Sequence, residues 1–132
     1  MATTTATITL SSTDLISDEL SLTTTATLTG AGNSTGLVGT GGLGRKKTGG
    51  TSQYILFDGD AYANGAHKVY LKNTSTTAAQ YFTIEINSEQ MGKLYAGDWC
   101  FFPWEANADT NDIKIQPSAA DMVLEYMIFI DE

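Results

Sequence analysis

The chain of 132 residues is 42% hydrophobic and 17% charged, which is typical of one folded domain and excludes a disordered chain. Fifteen acids against seven cations give a formal net charge of −8, so binding to nucleic acid is disfavoured. No run approaches the roughly 20 apolar residues of a membrane-spanning helix, and the polar start MATTTATITL lacks the pattern of a signal peptide. We therefore expect a soluble protein made in a cytoplasm, without a membrane or nucleic-acid partner.

The first thirty residues show the period-two alternation of β-strands. In LSLTTTATL (20–28), the leucines share one face with Thr24 and Ala26, while serine and threonine occupy the other. An earlier strand is predicted over residues 7–10, with residues 11–18 as the connection. Threonine suits a pleated, half-exposed surface, so this region is predicted to be sheet structure.

Residues 30–52 are rich in glycine and contain the basic triplet Arg45, Lys46 and Lys47. Such a segment would be flexible on its own, so we expect it to lie along its own domain or a neighbouring subunit. The string GTGGLG (39–44) matches the dinucleotide fingerprint in letters only, because the segment after it cannot start a helix. We predict that residues 1–52 form N-terminal strands and a glycine-rich arm, whose triplet contacts an acidic protein surface rather than nucleic acid.

From residue 53 onward, short apolar or alternating blocks are separated by Asn, Asp, Gly, Pro and Ser. The spacing of about 8 to 12 residues, without a convincing long helix, indicates an all-β fold. We predict a single-domain, jelly-roll-like β-sandwich whose body spans residues 53–132. The last strand, 122–130, is apolar on both faces, so it is either central in the sandwich or covered by a partner.

Few residues of the chain are suited to catalysis. His67 is the only histidine and is expected at the surface, and Cys100, the only cysteine, lies in an aromatic run where a thiol behaves as a small hydrophobe. No nucleophile has a recognisable spacing from a base, so we predict no catalytic residue, no cofactor and no enzyme. Asn107, Asp109 and Asn111 place oxygen atoms at alternate positions, as calcium loops do, but the usual glycine and glutamate are missing. Solvated turns are therefore predicted there, and a weak calcium site is the alternative.

Aromatic residues are densest between residues 95 and 104. Most of these rings are expected in the core, while an exposed ring would serve either as an interface anchor or as a platform for stacking sugars. Trp104, which follows Pro103, is the ring predicted to be exposed. Our candidates for an interface are the basic triplet and four aromatic residues, namely Arg45, Lys46, Lys47, Trp99, Trp104, Tyr126 and Phe129.

Three motifs in the second half resemble small β-rich virion proteins of tailed bacteriophages. They are a Lys-Asn-Thr strand end (72–74), a Gly-x-Leu-x-x-Gly-Asp turn (92–98) into an aromatic strand that ends in Phe102-Pro103, and a Glu-Tyr-x-Ile-Phe final strand (125–129). The Thr- and Gly-rich first half is similar in style to the arms that virion proteins extend across their neighbours.

The resemblance implies a structural protein of the virion, foremost a capsid decoration (cement) protein. Such a protein would bind the major capsid protein on the head shell as a homo-oligomer such as a trimer. A tail, neck or fibre-adaptor protein is the alternative within the same class. A carbohydrate-binding module is the alternative from another class, with an exposed Trp99 or Trp104 as its platform; whether these rings are exposed and coplanar or buried against protein distinguishes the two classes.

Overall fold

The structure of the protein is a computed structural model that describes residues 4–28, 37, 39–62, 65–107 and 110–130. These residues form eleven β-strands and one 3-10 turn, Gly59–Ala61. In chain order the strands are β1 (Thr4–Ser12), β2 (Leu20–Leu28), β3 (Gly39–Thr40), β4 (Gly44–Lys47), β5 (Tyr54–Phe57), β6 (Ala66–Asn73), β7 (Tyr81–Ile86), β8 (Glu89–Tyr95), β9 (Trp99–Glu105), β10 (Ile113–Pro117) and β11 (Val123–Ile130). Within this part of the chain no helix is long and apolar enough to cross a membrane.

Strands β3 to β11 form two antiparallel sheets, one of five strands and one of four; the short β3 pairs with β11, and the other eight strands divide equally. One sheet has the spatial order β4-β11-β6-β9, and the other has the order β5-β10-β7-β8. Each sheet therefore joins strands that are distant in sequence, and this pair of strand orders is that of an eight-stranded jelly roll. The predicted all-β sandwich is confirmed.

The core lies between the two sheets and follows from alternation along each strand. In β6, for example, His67, Val69, Leu71 and Asn73 are buried, while the residues between them are partly exposed. The buried apolar side chains of both sheets form one cluster: Phe57, Val69, Leu71, Phe82, Ile84, Leu94, Phe102, Trp104, Ala106, Ile113, Ile115, Met122, Leu124 and Ile128. Burial of this apolar surface, at about 25 cal/mol per Å², is the main force that stabilises the sandwich.

Strands β1 and β2 form a separate two-stranded ribbon, paired in register from Thr4↔Leu28 to Ser12↔Leu20. Cross-strand partners share a face, so the register sorts the side chains into two sets. One face carries only hydroxyl side chains: Thr5, Thr7, Thr9, Ser11, Ser21, Thr23, Thr25 and Thr27. The opposite face carries all the apolar ones: Ala6, Ile8, Leu10, Leu20, Leu22, Ala26 and Leu28. The predicted alternation in residues 20–28 is confirmed.

The glycine-rich segment contributes β3 and β4, which pair with β11 along one edge of the sandwich. The basic triplet thus belongs to the first strand of the jelly roll, so this part of the predicted arm lies along its own domain. A strand and not a helix follows the GTGGLG string, as the sequence indicated, and the dinucleotide motif has no structural counterpart here. Residues 30–36 and 38 of the predicted arm lie outside the described residues.

Candidate functional site

The outward-facing side of the β4-β11-β6-β9 sheet carries a cluster of large apolar side chains. The strand registers pair Tyr70 with both Phe101 and Met127, so the side chains of these neighbouring strands share one face. The rings of Phe101 and Phe129 meet edge to face, with centroids 6.1 Å apart. We name the outer face after its five central residues, Tyr70, Trp99, Phe101, Met127 and Phe129. These residues and Ala6, Thr7 and Ile8 of β1 line a groove of about 220 Å³.

Cations border the outer face. Cross-strand pairing places Arg45, Lys47, Lys68 and Lys72 on the same side of the sheet as the aromatic cluster. These are four of the seven cations in a chain that has fifteen acids. The outer face is therefore an apolar centre with a charged rim, which also includes the acids Glu105 and Glu125. An apolar centre with a polar rim is an arrangement found in protein interfaces.

Glu125 links the rim to the apolar centre. Its carboxylate accepts hydrogen bonds from Nε and Nη2 of Arg45, at 3.3 and 3.1 Å, and from the Tyr70 hydroxyl at 3.3 Å. Burial, and secondly the negative charge of Glu125, raise the pKa of the Tyr70 hydroxyl. Tyr70 consequently stays a neutral donor, and its ring is held in the outer face.

The three basic residues predicted as one contact cluster do not act together. Because they lie on a β-strand, their side chains alternate between faces. Arg45 and Lys47 point outward, where Lys47 pairs with Asp121 at 3.1 Å. The Nζ atom of Lys46 instead lies 5.4 Å from the centre of the Tyr54 ring, which belongs to the other sheet.

The expectation that Trp104 is the exposed tryptophan is wrong. Trp104 is only 3% exposed, and its indole N–H donates to the Asn111 carbonyl at 2.7 Å. Trp99 is 50% exposed. The two residues are five positions apart on β9, so period-two alternation sends their rings to opposite faces of the sheet. Trp99 and Trp104 therefore do not form a pair of exposed, coplanar rings.

The other two aromatic candidates on β11 also point in opposite directions. Phe129 belongs to the outer face, whereas Tyr126 packs against the core and meets the Phe57 ring edge to face at 5.6 Å. The Tyr126 ring also covers Gly44, because a Cβ atom at that glycine would lie 2.6 Å from its Cζ atom. The last strand has a neighbouring strand on both sides in its sheet. Its inward side chains, such as Leu124 and Ile128, reach the core, whereas Met127 and Phe129 belong to the outer face.

His67 is not the surface histidine that the sequence suggested. It is fully buried, with its ring 5.8 Å from Tyr62 and 5.7 Å from Trp104. Cys100 is half-buried on the inward side of β9, where burial raises the pKa of its thiol to about 11. At neutral pH this cysteine is a protonated, poorly nucleophilic side chain.

Side chains in and beside the possible calcium loop form hydrogen bonds with nearby backbone groups. The Asn111 side-chain amide donates to the Glu105 carbonyl at 3.1 Å, and Asp112 Oδ1 accepts the Gly59 N–H at 2.9 Å. Asp109 lies outside the described residues. Among the residues with described positions, no group of three or more His, Cys, Asp and Glu side chains could hold a metal ion.

Sequence reasoning missed the exposed apolar side chains on one face of the ribbon and in its connection. Ile8, Leu10 and Leu22 are 40%, 50% and 46% exposed, and Leu15 and Ile16 in the connection are 72% and 54% exposed. The alternation of β2 was visible in the sequence, but its partner strand and register were not. Without the register, the apolar residues of the two strands could not be assigned to one common face.

The residues at the centre of the outer face were also missed, apart from Trp99 and Phe129. Tyr70, Phe101 and Met127 lie on three different strands and converge only through the pairing of β6 with β9 and β11. A single signal was available in the sequence. Each of these residues has the opposite parity to the core residues of its own strand.

The chain was compared with protein-family models, with curated proteins and with solved structures, and none of them matches it.

Proposed function

We propose that this chain is a structural protein of a tailed-phage virion, most specifically a capsid decoration protein that reinforces the head shell. The observation that carries the proposal is that a sandwich with a closed core has two further apolar surfaces outside that core, each with side chains that are about half exposed, such as Leu10 and Trp99. These are the apolar face of the ribbon and the outer face with its charged rim. Contiguous exposed apolar surface of this kind marks protein contacts.

The energetics suit an adhesive role. Covering exposed apolar surface contributes about 25 cal/mol per Å², so a partly covered Trp99 or Leu10 adds on the order of 1 kcal/mol per contact. A shell repeats the same contact many times, and linked weak contacts give much higher avidity than any one of them. In the described residues, every buried side-chain nitrogen or oxygen atom has a hydrogen-bond partner, which supports a structural role.

The proposal is tested by mixing the purified protein with head shells assembled from the major capsid protein of the phage that carries this chain. We expect the protein to sediment with the shells at a saturating copy number. Trp99→Ala on the outer face should lower the bound fraction. Ile55→Ala should leave it unchanged, because Ile55 is a similarly exposed apolar residue on the opposite sheet.

Shells that bind no copies of the wild-type protein would refute the decoration role. Gold-labelled antibodies on intact particles would then decide whether the tail, neck or fibre adaptor, the alternative positions, carries the chain. Label at the tail would support that alternative, and particles without label would refute the virion assignment as a whole.

A carbohydrate-binding module is the second candidate, and one observation favours it. Trp99 is half-exposed beside the groove of the outer face, and a single exposed ring can stack on one sugar. Titration with oligosaccharides, followed by tryptophan fluorescence, tests this reading. A saturable change that Trp99→Phe retains and Trp99→Ala loses would support it.

A further inference from the structure

The far end of the ribbon combines exposed apolar side chains with negative charge. Leu10, Leu15, Ile16 and Leu22 are all between 46% and 72% exposed. The segment between the two strands also contains Asp14, Asp18 and Glu19, and no cation lies between residues 1 and 44. We name residues 10–22 the ribbon tip. The tip is thus apolar and acidic, and it makes no ion pair within the described residues.

The outer face is the chemical complement of the ribbon tip. Its centre consists of Tyr70, Trp99, Phe101, Met127 and Phe129, and its rim holds four of the seven cations. The rest of the chain is strongly acidic and would repel the tip. Two of these cations, Arg45 and Lys47, are paired with Glu125 and Asp121, whereas Lys68 and Lys72 form no ion pair within the described residues. The outer face therefore offers the tip positive charge, from Lys68 and Lys72, together with apolar contact.

The ribbon of the same molecule covers only part of this surface: Trp99 is half exposed, and the other four central residues are partly buried. Only Ala6, Thr7 and Ile8, near the base of β1, line the groove beside the aromatic residues. The base is held by hydrogen bonds from the Thr4 hydroxyl to the Leu37 carbonyl and from the Leu37 N–H to the Leu28 carbonyl. Leu10 and Leu22, further along the same ribbon face, remain about half exposed. The apolar tip therefore needs a surface that its own body does not supply.

We infer that the ribbon tip of one copy docks on the outer face of a second copy of this chain. The inference deepens the proposed function, on which it rests, by naming the partner and the two surfaces. Nine residues per strand give the ribbon a length of about 30 Å, comparable to the width of a small domain. One ribbon can therefore extend across the outer face of a neighbour.

The hydroxyl face of the ribbon explains how this element stays ordered and soluble before it docks. The hydroxyls of Thr7 and Thr25 lie 2.8 Å apart, and those of Thr9 and Thr23 lie 3.4 Å apart. These cross-strand pairs bind each other, so the hydroxyl face is polar and satisfied. Only the opposite face gains by being covered. The ribbon therefore docks by one defined face: residues 10 and 22 face the neighbour, and residues 11 and 21 face solvent.

The two surfaces of the contact are different, so the contact is heterologous. Each copy has one tip and one outer face, and such contacts either close into a ring or continue as an open filament. Either arrangement predicts that a copy with a defective tip can still accept the tip of another molecule. A contact between two ribbon tips does not predict this.

The test uses the full chain and measures its mass in solution by light scattering and sedimentation. The tip variant Leu22→Asp and the face variant Trp99→Asp/Lys72→Gln should each weaken self-association at least about tenfold. The matched control is Ser21→Asp, which adds the same charge one residue away on the hydroxyl face. This variant should self-associate as strongly as the wild type. Circular dichroism and thermal melting verify that each variant is folded. We expect them to be folded, because the substituted residues lie outside the buried core.

The decisive measurement mixes the tip variant with the face variant. The face variant keeps its tip and the tip variant keeps its face. At a concentration where each is monomeric alone, the mixture should therefore form a one-to-one complex. A wild type that stays monomeric, a mixture that stays monomeric, or a face variant that associates normally would overturn the inference. Failure of the proposed function is distinguishable, because a self-associating chain that does not sediment with shells would refute decoration and leave this contact standing.

Discussion

Asn73→Ala should be among the most destabilising single substitutions in the molecule. Asn73 ends β6, and its side chain is completely buried. Its amide nitrogen donates to the carbonyls of Leu94 and Gln80, at 3.0 and 3.2 Å, and its Oδ1 accepts the Ser75 N–H at 3.0 Å. One side chain thus joins the end of β6 to the end of β8 and to the turn before β7.

The size of the effect follows from the groups that the substitution leaves unpaired. The Leu94 carbonyl is buried, and an unsatisfied buried acceptor costs about 1–3 kcal/mol. The bonds to the Gln80 carbonyl and the Ser75 N–H are partly buried and contribute about 0.5–1.5 kcal/mol each. The free energy of unfolding should therefore fall by about 3–4 kcal/mol, a large share of the 5–15 kcal/mol of a typical domain.

The assay is urea unfolding followed by tryptophan fluorescence. With a slope of about 1.5 kcal/mol per M, the midpoint should fall by roughly 2 M. Thr76→Ala is the control, because Thr76 is exposed in the same turn and its loss should change stability by less than about 0.5 kcal/mol. A loss below about 1 kcal/mol for Asn73→Ala would show that water or other groups satisfy these backbone atoms, and the reasoning would be refuted.

Three further predictions concern the sandwich. Trp104→Ala should lower the free energy of unfolding by about 3–5 kcal/mol, whereas Trp99→Ala should change it by less than about 1 kcal/mol. Equal losses for the two variants in urea unfolding would contradict the assignment of Trp104 as the buried ring. The pKa of the Cys100 thiol is raised from 9.0 to about 11, so its stabilising contribution is complete below pH 9 and is lost as the pH rises to 11. The wild type should therefore lose stability relative to Cys100→Ala across that interval, and parallel pH profiles would speak against it. Gly44→Ala should cost about 1–3 kcal/mol because its Cβ would overlap the Tyr126 ring, and the cost should shrink when Tyr126→Leu is already present.

The outer face illustrates how far sequence patterns lead towards a site. Trp99 and Phe129 were predicted as interface candidates, and both lie there. The predicted exposure of Trp104 was wrong. Trp104 lies on the same face of its strand as Phe102, but alternation only sorts residues into two faces and does not state which face meets another sheet. The basic triplet was read as one cluster since nothing local marked it as a strand. Its pairing with β11, about eighty residues away, gives its side chains alternating directions.

The sequence by itself determined the all-β class, the strand positions in the second half and the two sets of side chains along each strand. These properties follow from local causes, namely period-two alternation and residues that favour turns. Only the tertiary structure decided which set is covered. The jelly-roll order of the sheets buries Trp104 and His67 and leaves Trp99 exposed. The register of β1 with β2 gathers the ribbon leucines on one face, where Leu10 and Leu22 are about half exposed. These outcomes depend on contacts between residues far apart in the chain, and no local pattern records them.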